Sequence, residues 1–235
     1  MISIAVPASN EGGSIGRLLE ELIKFDDIQI IIAEDASTDG TREVAEKFTS
    51  EHKMVKLTSS TVRRGKGAAI KRALKLADGE VLGFIDADMS IHPRDFMRLV
   101  SAIDSGADIA IASRRLSQSV ITYKQPIMRE LFGATYVALA RLLLKINISD
   151  FQCGCKAFRR ELWEDIDIHC ERFAFDTELI AKAHSRGFKI VEVPITWSNK
   201  TNSKVHALSD SMDMFKSLLE IRRELRNLAN KRSDF

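Results

Sequence analysis

Three short apolar runs, at residues 2–6, 28–33 and 81–85, each stop abruptly at polar residues. Between them, apolar residues recur at helical spacing. Ile15, Leu18, Leu19, Leu22 and Ile23 mark the first such segment, with Ser14 placed to cap it. Val44, Ala45 and Phe48 mark the second, and Ile70, Ala73, Leu74 and Ala77 the third. A run of this length suits a strand buried on both faces, and strand–helix alternation builds a parallel sheet covered by helices. The chain is therefore expected to be α/β, with a mainly parallel central sheet flanked by helices. The carboxyl ends of such strands share one edge, and ligands bind there.

The residues expected at that edge are acidic. The first run stops at Pro7 and leads to Ser9, Asn10 and Glu11. The second ends in Glu34-Asp35, and the third in Asp86-Ala87-Asp88. Two carboxylates one residue apart on extended chain point the same way and repel unless a cation lies between them. A divalent metal carrying a phosphate ligand would fill that place; an acidic turn is the competing reading. Acidic groups at several strand ends favour one common site containing Asp35, Asp86 and Asp88.

Several functions are excluded or disfavoured. No Gly-x-Gly-x-x-Gly follows the first run, which argues against a Rossmann dehydrogenase. Arg64-Gly65-Lys66-Gly67 lacks the Walker spacing; it reads either as a basic turn touching ribose or phosphate, or as a solvated loop before a helix. A formal net charge of +2 does not indicate a general nucleic-acid binder. The 235 residues show no linker or repeat, so one domain is expected. Cys153, Cys155 and Cys170 are an odd set without metal-hook spacing, and small buried thiols are expected. No signal-peptide pattern opens the chain, which points to a cytosolic setting. No stretch reaches about 18 uninterrupted apolar residues, the length of a membrane span.

Further along, strands are expected at 54–57, 108–112 and 189–197, with Pro194 marking an edge or a strand end. Residues 150–159 read as extended chain. Helices are expected from Pro93 through Ile103, at 127–146, at 175–186 and at 208–232.

Taken in order, Pro7-Ala8-Ser9-Asn10-Glu11, the segment from Glu34 to Thr41, Arg64-Gly65-Lys66-Gly67 and Asp86-Ala87-Asp88 resemble the family 2 glycosyltransferases of the GT-A fold. The segment from Asp150 to Arg159, with Gln152-Cys153-Gly154 at its centre, resembles dolichyl-phosphate glucose synthases. Phe175-Asp176-Thr177-Glu178-Leu179, and Val193 to Trp197 with Ser203-Lys204, match that branch and the dolichyl-phosphate mannose synthases. The resemblance implies a catalytic domain over 1–206, followed by a basic amphipathic helix over 207–235 that packs on it or faces a membrane.

It also implies roles. Pro7, Ser9, Glu11 and Asp35 would hold the nucleoside, and Asp86 and Asp88 would hold Mg²⁺ or Mn²⁺ on the diphosphate of a sugar nucleotide. Lys66, Arg114, Lys200 and Lys204 would meet phosphates. Asp88, Arg114 and Asp176 form the implied catalytic set, Asp176 standing where many family 2 enzymes carry a base. Ser9 stands where the family more often has an aromatic residue. The implied reaction is inverting transfer of a hexose, from UDP-glucose or GDP-mannose, to a polyprenyl (dolichyl) phosphate. Alternatives are transfer to a glycan or other hydroxyl acceptor, and a non-catalytic nucleotide-sugar or lipid-binding protein.

A phosphate monoester, with a second pKa near about 6, is already ionised at neutral pH and needs no general base. It needs positive charge, for which Arg114, Arg129, Lys200 and Lys204 are candidates. Arg129 also reads as a solvated helix position. The stretch 127–146 reads as a core helix or as an amphipathic element at a membrane surface. Lys216, Arg222, Arg223, Arg226, Lys231 and Arg232 on the last helix suit anionic lipid, or a solvated or dimer-contact helix. A peripheral location at the cytosolic face of a membrane is expected, with a membrane-protein partner or a homo-oligomer as further possibilities.

Overall fold

The computed structural model describes residues 1–123, 125–199 and 207–233, with side chains of the last helix described over 213–228. The first half alternates as expected: β1 (Ile2–Ala8), α1 (Ile15–Leu22), β2 (Ile28–Asp35), α2 (Thr41–Glu51), β3 (Val55–Ser60), α3 (Lys66–Leu74), β4 (Val81–Ile85) and α4 (Pro93–Asp104). Next come β5 (Ile109–Ser113), β6 (Val120–Tyr123), α5 (Ile127–Leu144), β7 (Cys155–Arg159) and α6 (Arg160–Asp165). Finally come α7 (Phe175–Ser185), β8 (Ile190–Pro194), β9 (Thr196–Ser198) and α8 (Ala207–Ser233).

Seven strands form the main sheet in the order β3-β2-β1-β4-β7-β5-β8. Strand β7 runs antiparallel to both β4 and β5; the other pairings in this sheet are parallel. Strands β6 and β9 make a separate two-stranded ribbon. The order turns around at β1, with β2 on one side and β4 on the other, so a crevice opens beyond their carboxyl ends.

The strands are apolar on both faces because both are covered. Ile4, Val6, Ile30, Ile32 and Ile85 meet Leu18 and Leu22 of α1, Phe48 of α2 and Phe96 and Leu99 of α4 in one cluster. Ala5, Ile31, Leu82 and Phe84 join Ile70 of α3, Val137 of α5, Leu179 of α7 and Leu218 and Ile221 of α8 in the other. The last helix packs on α5 and α7 through this second cluster.

Some expectations need correcting. Pro7 does not end β1; it lies inside it, opposite Ala33. Pairing of β1 with β4 stops at Ala5, so a residue without an N–H is tolerated where β1 keeps only β2 as a neighbour. The extended stretch at 150–159 is a strand only from Cys155 onward. The strand expected at 189–197 is two, broken after Pro194, which ends the edge strand β8. Ser14 occupies the N-cap of α1 but caps no amide; its hydroxyl donates to Glu11. Strand β6 and helix α6 were not anticipated.

Gly83 lets β4 lie between β7 and α4. A Cβ there would sit 2.5 Å from the Lys156 carbonyl oxygen and 2.7 Å from the Phe96 ring. Gly83→Ala is expected to lower stability by about 1–3 kcal/mol. A denaturation midpoint equal to the wild-type value would contradict this packing.

Candidate active site

The loops after β1 and β2 are stitched together. The Ser9 hydroxyl donates to the Asp35 carbonyl oxygen at 2.9 Å. The Asn10 amide donates to the Ser37 hydroxyl, and the Thr38 amide to the Asn10 side chain. The Glu11 amide donates to Thr41 Oγ1 at 2.7 Å. Beneath them Glu34 is fully buried and accepts from the Ser37 amide and the Arg42 guanidinium. Burial alone would raise its carboxyl, but the Ser37 and Arg42 bonds outweigh that and hold it below the usual range. Asn10, Ala36 and Met89 all have positive φ, at 56°, 51° and 58°. Each stands just past β1, β2 or β4, so backbone strain gathers at the expected edge.

Asp35 is buried at the end of β2. Its carboxylate accepts from the Arg64 amide at 3.0 Å and the Gly65 amide at 2.8 Å. It thereby fixes the turn that starts α3 and aims Lys66 inward. Lys66 Nζ lies 2.9 Å from Asp86 Oδ1 and 3.3 Å from Asp176 Oδ2. Asp176, in the first turn of α7, is paired through its other oxygen with Lys156 of β7. Lys156 is fully buried and also donates to the Cys153 carbonyl oxygen. The result is one chain of alternating charge, Lys156–Asp176–Lys66–Asp86. Both ammonium groups lie over the Phe84 ring, at 5.4 and 5.2 Å from its centre.

Asp86 follows β4 and opens to the cleft, with 38% of its side chain exposed. Protein walls the remaining sides. Its amide donates to the Gly154 carbonyl oxygen, and a Cβ on Gly154 would lie 1.7 Å from Asp86 Oδ2. Burial pushes the Asp86 carboxyl up to about 6; Lys66 opposes that shift, while Asp88 and Asp176 reinforce it. Asp88 accepts from the Ser90 amide and the Ser90 hydroxyl, both at 2.8 Å. No cluster of three or more metal-ligating side chains occurs among the described residues. Two carboxylates at one strand end suit Mg²⁺ or Mn²⁺ that takes its other ligands from a diphosphate and water.

Arg114, just past β5, binds Asp150 in a fork, Nε at 2.6 Å and Nη2 at 2.8 Å, and lies over the Trp197 ring. That fork leaves guanidinium N–H groups for a ligand. Burial would lower the Arg114 guanidinium, but Asp150 wins and raises it. Arg129 corrects the reading as a solvated helix position. It is half-buried in the first turn of α5, and its guanidinium is lowered by burial and by the like charge of Arg114, against the pull of Asp88. Pro7, half-buried inside β1 one residue before its end, stands at the carboxyl edge of the sheet. Lys200 and Lys204 lie outside the described residues.

The thiols of Cys153 and Cys155 are buried core groups, with that of Cys153 pushed up to about 12 mainly by burial. The roles of Lys156 and Asp150 were not foreseen. A lone lysine inside the apolar run Cys155-Lys156-Ala157-Phe158 was the available signal, since a buried ammonium requires a partner.

Residues 3–167 match the family model described as Glycosyl transferase family 2. The chain is a family 2 glycosyltransferase. It is 32% identical over 228 residues to Glycosyltransferase AglD of Haloferax volcanii, covering 93% of this chain and 36% of that one. This chain thus spans about a third of that relative's length. It is 30% identical over 240 residues to the dolichyl-phosphate beta-glucosyltransferase of Dictyostelium discoideum, covering 94% and 73% of the two chains. Among solved structures, the Mycobacterium tuberculosis glucosyl-3-phosphoglycerate synthase bound to Mn²⁺, UDP and glucosyl-3-phosphoglycerate superposes with a TM-score of 0.74 at 23% identity. That match covers 94% of this glycosyltransferase and 79% of the synthase. The fold is GT-A.

Two outcomes test the site. In the glycosyltransferase, Gly154→Ala should displace the Asp86 carboxylate and lower sugar transfer at least about a hundredfold, since an ångström of misplacement has that effect. Activity within a few-fold of wild type would contradict the close approach. The second concerns pH. Between about pH 4, the ordinary Asp pKa, and about 6, the folded protein keeps a proton on Asp86 that the unfolded chain has lost. That contribution to stability is present below about pH 4 and lost as pH rises through about 6. Without metal, the wild type should therefore gain stability relative to Asp86→Asn as pH falls from 6.5 to 4. Parallel stability–pH curves for the two proteins would contradict this.

Proposed function

We propose that this glycosyltransferase moves a hexose from a nucleotide sugar to a polyprenyl phosphate at a membrane surface. The observation that carries the proposal is the state of Asp176. Both of its oxygens are engaged by lysine ammonium groups, so it is poorly placed to take a proton from an acceptor hydroxyl. An acceptor that arrives ionised removes the need. The bond from sugar C1 to the donor's β-phosphate oxygen breaks, a bond from C1 to the acceptor phosphate oxygen forms on the opposite face, and a nucleoside diphosphate leaves. No proton has to move.

Residues 1–206 would form the catalytic domain. Pro7, Ser9, Glu11 and Asp35 border the nucleoside, Asp35 by fixing the Arg64–Gly65 turn. Asp86 and Asp88 would hold Mg²⁺ or Mn²⁺, which when bound supplies Lewis-acid neutralisation of the leaving diphosphate. Arg114 and Arg129 would receive the acceptor phosphate, with Lys200 and Lys204 as further cations. Burial and then the like charge of Arg114 lower the Arg129 guanidinium, and a bound anion would offset both.

The lipid part has a surface to meet. Helix α5 leaves Ile127, Met128 and Leu131 largely exposed on the same turns that carry Arg129, with Tyr123 of β6 nearby in sequence. Among the described residues no helix is long and apolar enough to cross a membrane. An interfacial contact therefore suits this face better than a span.

The test is a transfer assay with UDP-glucose or GDP-mannose, Mn²⁺ and a polyprenyl phosphate in detergent micelles. One donor should yield sugar extractable into organic solvent, and chelation should abolish it. Arg129→Ala should lower kcat/KM for the lipid phosphate by about tenfold to a hundredfold, the worth of a charge-assisted hydrogen bond. Sugar transferred only to hydroxyl acceptors, or no turnover of either donor, would overturn the proposal.

A further inference from the structure

Lys66 occupies a carboxylate oxygen of Asp86, a residue that the donor-site reading gives to a divalent cation. It is the first residue of α3, and its backbone is pinned on both sides. The Gly65 amide donates to Asp35 at 2.8 Å, and the Ala68 amide to the Glu171 carbonyl oxygen at 2.9 Å. Its side chain is 13% exposed, braced over Phe84, and touches Asp86 Oδ1 at 2.9 Å. Asp176 has a second counter-ion in Lys156; among the described residues Asp86 has an ion pair only with Lys66. The Asp88 carboxylate accepts two hydrogen bonds from Ser90, which leave its charge unpaired among the described residues. The charge balance at Asp86 therefore rests on Lys66.

We propose that Lys66 is a positioning residue that keeps the metal place on Asp86 closed to a bare divalent ion until a nucleoside diphosphate arrives. This rests on the donor-site reading above. A divalent ion alone would have to approach an ammonium within hydrogen-bond distance of its own ligand, and the two like charges repel. A diphosphate changes the balance, because it offers Lys66 another anion. The ammonium can then release Asp86 Oδ1 while staying on Asp176 Oδ2, whose other oxygen Lys156 holds. Metal and donor thus bind with strong mutual dependence, and reciprocally so. The protein would take up neither a bare ion nor, with full strength, a metal-free donor.

Binding of Mn²⁺ to the full chain, followed by loss of the free-ion paramagnetic resonance signal, tests this without turnover. In the wild type, saturating UDP or GDP should tighten Mn²⁺ binding at least about tenfold, the shift of a modest coupling between sites. Lys66→Met should bind Mn²⁺ alone at least about tenfold more tightly than the wild type, and the nucleotide effect should shrink. Lys66→Arg should keep the wild-type pattern. Lys66→Met binding Mn²⁺ alone no more tightly than the wild type would overturn the proposal. A second measurement needs no variant. Thermal stabilisation of the wild type by Mn²⁺ plus the nucleotide should exceed the sum of the two alone, and additive shifts would overturn the proposal. If neither UDP nor GDP binds at all, with or without Mn²⁺, the donor-site reading itself fails, which is a different result from additive binding.

Discussion

The alternating charges Lys156–Asp176–Lys66–Asp86 tie together the parts that meet at the crevice. They join β7, α7, α3 and the end of β4, elements drawn from both halves of the chain. Taking charges out of water is expensive, and a buried pair is not a cheap source of stability. What such a row provides is position. Lys156 is fully buried, so Asp176 must face it. With Asp176 fixed, Lys66 is drawn across Phe84 to the strand end, where the acids would otherwise repel one another.

The fold supplies the frame for that row. The sheet order turns around at β1 and opens the crevice, and the loops after β1 and β2 close one wall by bonding to each other. The antiparallel β7 is the departure with the largest consequence. It carries Lys156 into the sheet beside β4, and the turn before it brings Gly154 under Asp86. A parallel strand in that place would present its other end to the site. The mixed sheet thus sets the shape of the site.

The first half of the fold was legible because each apolar run is short, bounded and followed by a helical period. The edge carrying Glu11, Asp35, Asp86 and Asp88 followed from that pattern. The second half was less legible. Strand β6 is exposed along its length and has no alternation to read, and the direction of β7 is set by the path through α5, which no local pattern encodes. Asp35 was placed correctly, but its hydrogen bonds to the Arg64 and Gly65 amides depend on a turn 29 and 30 residues away. Arg129 looked solvated because it is a charged helix residue next to another, Glu130; it is half-buried, and burial with the like charge of Arg114 lowers its guanidinium. Asp176 was recognised as a possible base, while the two lysines that occupy it were visible only in three dimensions.

The central claim is that the acceptor comes ready ionised and Asp176 holds lysines instead of moving a proton. Asp176→Asn alone is a poor test, because it leaves Lys156 buried without its partner, a change that typically destabilises by about 3–5 kcal/mol. The paired variant Asp176→Asn with Lys156→Met removes both charges together, leaving Lys66 on Asp86. Its transfer rate to a polyprenyl phosphate, measured with saturating donor and Mn²⁺ on folded protein, is the most direct measurement. The account predicts a rate within about tenfold of wild type, whereas loss of an essential base typically lowers it by about 10²–10⁴-fold. A loss in that range, with the fold intact, would contradict the account.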